Sequence, residues 1–272
     1  MTEPGTVPAA ANAGAPAAVN SGATAPATAH YAIIVPAWNE EAVVAQTVGQ
    51  LRAIADNLGR PYELVVVDDG STDRTAELAR AAGARVVPVA HRQIAAVRNA
   101  GARATTAPWL VFVDADTWVP ETVLRHTLLE LGSGAIGGGA RVAFDGRGHP
   151  VAEAFFEAFK ALWYSQELAA GCYLFARRDA FDAVGGFDEQ WFAGEEYWMS
   201  RALKARGRFA FLREEVVSSA RKQRAGAGIG MLARLLGLTV LFFVGWRRPL
   251  RSREALGFWY DGAREGKPVD LG

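Results

Sequence analysis

Four short apolar runs set the frame for the rest of this chain. Residues 31–35 (YAIIV), 63–67 (ELVVV), 84–89 (ARVVPV) and 109–113 (WLVFV) are rich in β-branched side chains, and each is bounded by polar residues, Gly or Pro. A strand with one wet face alternates apolar and polar residues. A run that does not alternate must be buried on both faces, as strands of a parallel sheet are. Helical patterns lie between the runs, over residues 40–58, 73–82 and 92–104, the second opened by the capping signal Ser71-Thr72-Asp73. Strand alternating with helix predicts a doubly wound α/β unit. With 272 residues, half of them hydrophobic, the chain can bury one sizeable core. No internal repeat has the spacing of a solenoid or propeller.

The pattern changes after Gly132. A Gly-rich strand is expected over 135–144, a helix over about 151–168, a strand over 171–177 and a helix over about 195–206, a mixed rather than alternating half. The expected organisation is therefore one domain over 31–225, divided into an alternating half (31–131) and a mixed half (132–225). Residues 1–30 are Ala, Pro, Thr, Gly and Asn with almost no large apolar side chain, which predicts a disordered tail. They lack the basic start and apolar centre of a signal peptide, so a cytoplasmic location is expected. Residues 226–272 form an apolar and basic extension expected to be helical. Its run LLGLTVLFFVGW (235–246) is too short to span a bilayer, and arginines flank it on both sides. Two fates fit it: a helix lying on the inner face of an anionic membrane, or one packed on protein.

Charge and cysteine usage exclude several function classes. Lys plus Arg and Asp plus Glu both number 29, so no overall basic field points to nucleic acid as a partner. The single cysteine, Cys172, rules out an internal disulfide framework and reads as a buried, inert thiol. The four histidines lack zinc-site spacing.

Chemistry gathers at the strand ends. In an open α/β sheet, ligands bind beyond the carboxyl ends of the strands. Here the first run is followed by PAWNEE (36–41), the second by DDGSTD (68–73) and the fourth by DADTW (114–118). Asp68, Asp69, Asp114 and Asp116 would crowd one edge of the sheet, and like charges that close call for a cation or a hydrogen-bonding ligand. Hard oxygen ligands suit Mg²⁺ or Mn²⁺, which take their remaining ligands from phosphates and water. Asp73 reads as a turn or cap residue.

Read together, VPAWNEE, VVDDGSTD, RNAG, FVDAD and GGFDE followed by GEEYWMSR resemble the successive landmarks of the family 2 inverting glycosyltransferases. The resemblance runs from about residue 31 to about residue 220. It implies a GT-A fold: a Rossmann-like, mostly parallel sheet flanked by helices, with a mixed C-terminal half and C-terminal helices. It also implies a nucleotide-diphosphate-sugar donor, a divalent cation (Mn²⁺ or Mg²⁺), and a single displacement at the anomeric carbon. Carried over by position, Pro36, Ala37, Asn39 and Glu40 border the nucleotide pocket and Asp69 contacts the base. Asp114 meets ribose or metal-bound water, and Asp116 binds the metal. Arg98 either reaches ribose or phosphate or forms a structural salt bridge within its own helix.

Glu195 and Glu196 fall on the family's acidic pair, usually Glu-Asp, whose second member is the general base. Either Glu195 or Glu196 can take the acceptor proton; Glu196 is the favoured base, with Glu195 at a helix N-terminus favoured by the macrodipole. Burial among Trp191, Phe192 and Trp198 would raise the pKa of the base. Asp188 either bonds a sugar hydroxyl or caps a turn. Trp191 either stacks on a sugar or joins the core, and Trp198 is expected in the core. The acceptor is expected to be a sugar or a lipid-linked molecule. The chain lacks the Gln-x-x-Arg-Trp tract associated with processive synthases of this family, which favours transfer of a single sugar. A catalytically degenerate nucleotide-sugar-binding or scaffold protein at a membrane surface is the alternative. Nucleotidyltransferase and nicotinamide-dehydrogenase readings fail because no glycine-rich loop follows the first strand.

Overall fold

The computed structural model describes residues 29–146, 150–219, 237–238 and 248–256, with the side chains of 150–156 left aside. Most of the expected N-terminal tail, and all but two residues of the apolar run 235–246, therefore lie outside the described residues.

The four runs form strands β1 (Tyr31–Ala37), β2 (Tyr62–Asp68), β3 (Arg85–Pro88) and β4 (Trp109–Val113). Helices α1 (Val44–Leu58), α2 (Thr75–Ala81) and α3 (Ile94–Arg103) connect them. Then follow β5 (Thr117–Trp118), α4 (Glu121–Gly132), β6 (Gly137–Phe144), α5 (Pro150–Ser165), β7 (Tyr173–Arg177), α6 (Arg178–Ala183), α7 (Glu195–Lys204) and β8 (Phe209–Ser218). All eight strands make one sheet in the order β3-β2-β1-β4-β7-β6-β8-β5. Four of its pairings are parallel (β1 with β2 and β4, β2 with β3, β6 with β8) and three antiparallel. The sheet is thus parallel from β3 through β4 and mixed beyond β4.

Alternate residues of each central strand enter opposite cores. Tyr31, Ile33 and Val35 join Leu64, Val66, Val111, Tyr173 and Phe175 on one face. Ala32, Ile34, Val65, Val67, Leu110, Phe112 and Leu174 pack on the other, under α3 and α7. Burial on both faces accounts for the lack of alternation in the runs. Glycine enables two close approaches. A Cβ at Gly101 in α3 would collide with Ile34 and Val67, so this helix sits unusually low on the sheet. A Cβ at Gly138 in β6 would collide with the carbonyl of Ala210 and the ring of Phe175.

The structure moves some expected boundaries. Helix α1 begins at Val44 instead of Glu40, because Asn39 adopts a positive φ of 52° and the Glu40 amide donates to Thr75 Oγ1 at 2.7 Å. Helix α5 ends at Ser165, and Glu167 also takes a positive φ, of 50°. Among the described residues no helix is long and apolar enough to cross a membrane. In the C-terminal extension, Arg248–Arg251 forms a single 3-10 turn, with Leu250 and Leu256 buried. This turn packs on protein: the Phe192 amide donates to the Leu250 carbonyl at 2.9 Å.

Candidate active site

The loops after β1, β2 and β4 meet at one edge of the sheet, and short polar bonds fix their shapes. Pro36 and Ala37 are the last residues of β1, in register with Val67 and Asp68. Asn39 joins the first two loops: its amide donates to Ser71 Oγ at 2.9 Å, and its Oδ1 accepts from the Thr72 amide at 2.8 Å. Glu40 is buried beside Thr75. Asp73 accepts from the amides of Thr75 and Glu41, at 2.9 and 3.1 Å, and so acts as a turn residue.

Asp69 is buried, and its Oδ1 accepts the amides of His91 (2.6 Å) and Arg92 (3.0 Å). The carboxylate thus shapes the loop between β3 and α3, where the Arg92 guanidinium lies 3.3 Å above the Trp38 ring. Asp68 Oδ1 is buried with no hydrogen-bond partner among the described residues. Asp114 and Asp116 follow β4, both partly exposed. The Asp114 amide donates to the Cys172 carbonyl at 3.1 Å, and the Asp116 carbonyl accepts the Ser219 amide at 3.2 Å. Among the described residues no group of three or more His, Cys, Asp or Glu side chains is gathered closely enough to hold a metal unaided. Burial, reinforced by the charges of Asp114 and Asp116, pushes the Cys172 thiol far up, which leaves it inert.

Arg98 is the hub of the site. It projects from α3 with only 2 % exposure. Nη1 donates to Glu195 Oε1 at 2.6 Å, while Nη2 donates to Asp114 Oδ1 at 2.9 Å and to the Gly171 carbonyl at 2.6 Å. The salt bridges of Arg98 do not run within its own helix, as one expectation had it: they tie α3 to Asp114 and to Glu195 of α7. The neighbouring Asn99 pins the glycine-rich loop, bonding the amide and carbonyl of Phe187 (2.9 and 2.8 Å) and Glu189 Oε1 (2.9 Å). Gln93 adds bonds to the carbonyls of Glu189 and Trp191. Asn99, Gln93 and Gly171 were not among the expected site residues, although RNAG lies within a recognised landmark.

Helix α7 opens at Glu195, after Gly194 in the left-handed region (φ 80°), so both glutamates occupy its first turn. Glu195 is 4 % exposed and points to Arg98. Glu196 is half-buried, and its pKa is pushed up to about 8, mainly by burial and then by the Glu195 charge, against the lowering pull of Arg98. A carboxyl held there is a far stronger base than an ordinary glutamate.

The remaining expected residues serve the loop before α7. Asp188 is exposed and accepts from the Gln190 amide (3.0 Å) and Trp191 Nε1 (2.9 Å), the turn geometry. Trp191 is 2 % exposed, stacks on Trp198 with centroids 5.0 Å apart, and lies under the Arg251 guanidinium at 4.3 Å. It presents no open face for a sugar in this structure.

Comparison with known proteins follows the same lines. A sequence model of glycosyl transferase family 2 matches residues 32–185. An undecaprenyl-phosphate 4-deoxy-4-formamido-L-arabinose transferase from Edwardsiella ictaluri is 41 % identical over 61 residues, covering 21 % of this chain and 19 % of that protein. A validoxylamine A glucosyltransferase from Streptomyces hygroscopicus subsp. limoneus is 35 % identical over 98 residues, 32 % of this chain and 21 % of that protein. The matches thus span about a fifth of these curated relatives. A Pyrobaculum calidifontis mannosyltransferase solved with GDP-Man and Mn²⁺ aligns with a TM-score of 0.60 at 18 % identity, covering 89 % of this chain and 66 % of that one. Glucosyl-3-phosphoglycerate synthase from Mycobacterium tuberculosis, solved with Mn²⁺, UDP and phosphoglyceric acid, gives 0.55 at 22 % identity, covering 80 % and 79 %. At such identities the likeness is one of fold, here the GT-A type.

Proposed function

Because this chain belongs to glycosyl transferase family 2, we propose that it transfers a single sugar from a nucleotide-diphosphate sugar to an acceptor hydroxyl, with inversion at the anomeric carbon. The observation that carries this reading is the convergence of Asp114, Arg98, Glu195 and a proton-hungry Glu196 where the parallel strands end.

In this reading the nucleotide lies across the ends of β1, β2 and β4. Pro36, Ala37, Asn39 and Glu40 border it, and Asp69 with its ordered loop faces the base. The buried Asp68 oxygen, without a partner among the described residues, is an acceptor that a ligand can satisfy. Asp116 and Asp114 fit a divalent cation of the Mg²⁺ or Mn²⁺ kind. They are two partly exposed carboxylates one residue apart, which suits an ion that takes its other ligands from phosphate and water. When bound, such an ion would neutralise the charge of the leaving diphosphate.

The chain's own groups do the rest. Glu196 accepts the acceptor hydroxyl proton as that oxygen bonds to the anomeric carbon, and the bond to the diphosphate breaks with its electron pair leaving on the phosphate oxygen. Arg98 acts from behind, orienting Asp114 and Glu195. Asp188 and Trp191 act indirectly too, by shaping the loop that leads into α7. A lipid-linked acceptor, met at a membrane surface, is favoured by the likeness to undecaprenyl-phosphate transferases and by the arginines of the C-terminal extension.

The test is a calorimetric screen of UDP-, GDP- and dTDP-sugars with and without Mn²⁺, followed by NMR of the product anomer. Metal-dependent binding of one nucleotide and an inverted product support the proposal. A retained anomer would overturn the single displacement, and silence with every donor would overturn the activity.

A further inference from the structure

The two glutamates at the start of α7 are adjacent in sequence, and Arg98 treats them differently. Its Nη1 takes Glu195 at 2.6 Å, its Nη2 is shared between Asp114 and the Gly171 carbonyl, and its Nε is buried without a hydrogen-bond partner among the described residues. Glu196 stands close by. A point one Cβ bond out from Gly171 lies 3.6 Å from Arg98 Nη2, 3.6 Å from Glu196 Cδ and 3.7 Å from Glu196 Oε2. A buried guanidinium with an orphaned N–H gains from any further carboxylate in reach, because unsatisfied buried donors are costly. Glu196 thus lies near Arg98 Nη2 and within the field of its charge, while Glu195 is the glutamate that Arg98 holds.

We propose that Glu195 is a positioning residue that holds Arg98 off Glu196, and thereby reserves the Glu196 carboxylate for the acceptor proton. This rests on reading Glu196 as the base. Glu195 is 4 % exposed and ion-paired to Arg98, which leaves the half-buried Glu196 the more accessible carboxylate of the two. The same grip joins the donor edge to the base helix, since the guanidinium that holds Glu195 also holds Asp114. The charged groups acting on Glu196 are Glu195 on its own helix, Arg98 from α3 and Asp114 after β4. Glu195 raises its proton affinity, as Asp114 does more weakly, and Arg98 lowers it. Neutralising Glu195 removes a raising charge and frees the lowering one, so both effects act in the same direction.

The experiment is a carboxyl ¹³C NMR titration of the ligand-free full chain as wild type, Glu195→Gln and Glu195→Asp, with Glu196 assigned through Glu196→Gln. Glu196 is expected to titrate lower by about one unit or more in Glu195→Gln, and by an intermediate amount in Glu195→Asp, which keeps the charge on a shorter arm. If Glu195→Gln fails to fold, Glu195→Asp decides alone. With an active donor in hand, the acid limb of the kcat profile should move to lower pH in step with the NMR shift. An unmoved Glu196 titration in the folded variants would overturn the proposal, as would a kcat lowered equally at every pH. A wild type that turns over no nucleotide sugar would remove the base reading alone, because the titration reports the Glu195 effect without any substrate.

Discussion

Replacing Glu196 with Gln should cost activity and gain stability, and the gain should depend on pH. In the fold the Glu196 carboxyl holds its proton up to about pH 8, whereas a free glutamate releases it near 4.5. Between those values the folded protein binds a proton that the unfolded chain has lost. The stability tied to Glu196 is therefore complete below about 4.5 and drains away as the pH climbs toward 8. The gap, from 4.5 to about 8, sets a ceiling of about 5 kcal/mol, since each unit of pKa difference is worth roughly 1.4 kcal/mol, and relaxation of neighbouring groups brings the realised value below it. Gln has nearly the same shape and no proton to lose, so Glu196→Gln should escape this drain. Urea unfolding at pH 5 and pH 9 measures it: the variant should gain on wild type by a few kcal/mol between the two values. Its turnover should fall by about 10² to 10⁴, with donor affinity largely kept. A stability difference that is the same at pH 5 and pH 9 would refute the reasoning, because the burial that raises the pKa would then be absent.

Other substitutions probe other parts. Asp116→Ala should abolish Mn²⁺-dependent nucleotide binding in calorimetry while the protein stays folded; unchanged binding would remove Asp116 from the metal site. Arg98→Met strands Glu195 in the interior and should destabilise by about 3 to 5 kcal/mol in urea unfolding, the usual cost of breaking a buried pair. Gly138→Ala forces a methyl against the Ala210 carbonyl and should cost about 1 to 3 kcal/mol, read the same way.

What could be read from the sequence, and what could not, follows from the range of each interaction. The strands β1 to β4 and the acids at their ends were legible because doubly buried strands leave unbroken apolar runs and loops at a sheet edge are short. Strand β8 was missed because Arg213-Glu214-Glu215 interrupts its apolar pattern where its pairing with β6 shifts register, between Ala140 and Arg141. Helix α4 was missed although Pro120-Glu121 opens it and Val123, Leu124, Leu128 and Leu131 mark its buried face. The hub could not be foreseen from spacing. Arg98 and Glu195 are 97 positions apart, and only the packing of α7 against the α3 side of the sheet brings them together. The same holds for Asn99 and the loop at Phe187, 88 positions away. Trp191 was ambiguous because a large aromatic beside a catalytic helix serves a sugar or the core equally well, and its burial under Arg251 depends on a segment near the far end of the chain.

The most direct test of donor binding at the strand ends is a crystal structure of the protein soaked with Mn²⁺ and the nucleotide diphosphate selected by calorimetry, with the metal located by its anomalous signal. The expected result is one manganese peak within bonding distance of Asp116, between that carboxylate and the diphosphate, with the nucleoside lying along Pro36–Glu40 toward Asp69. A manganese peak elsewhere, or a nucleotide that avoids the ends of β1, β2 and β4, would contradict it.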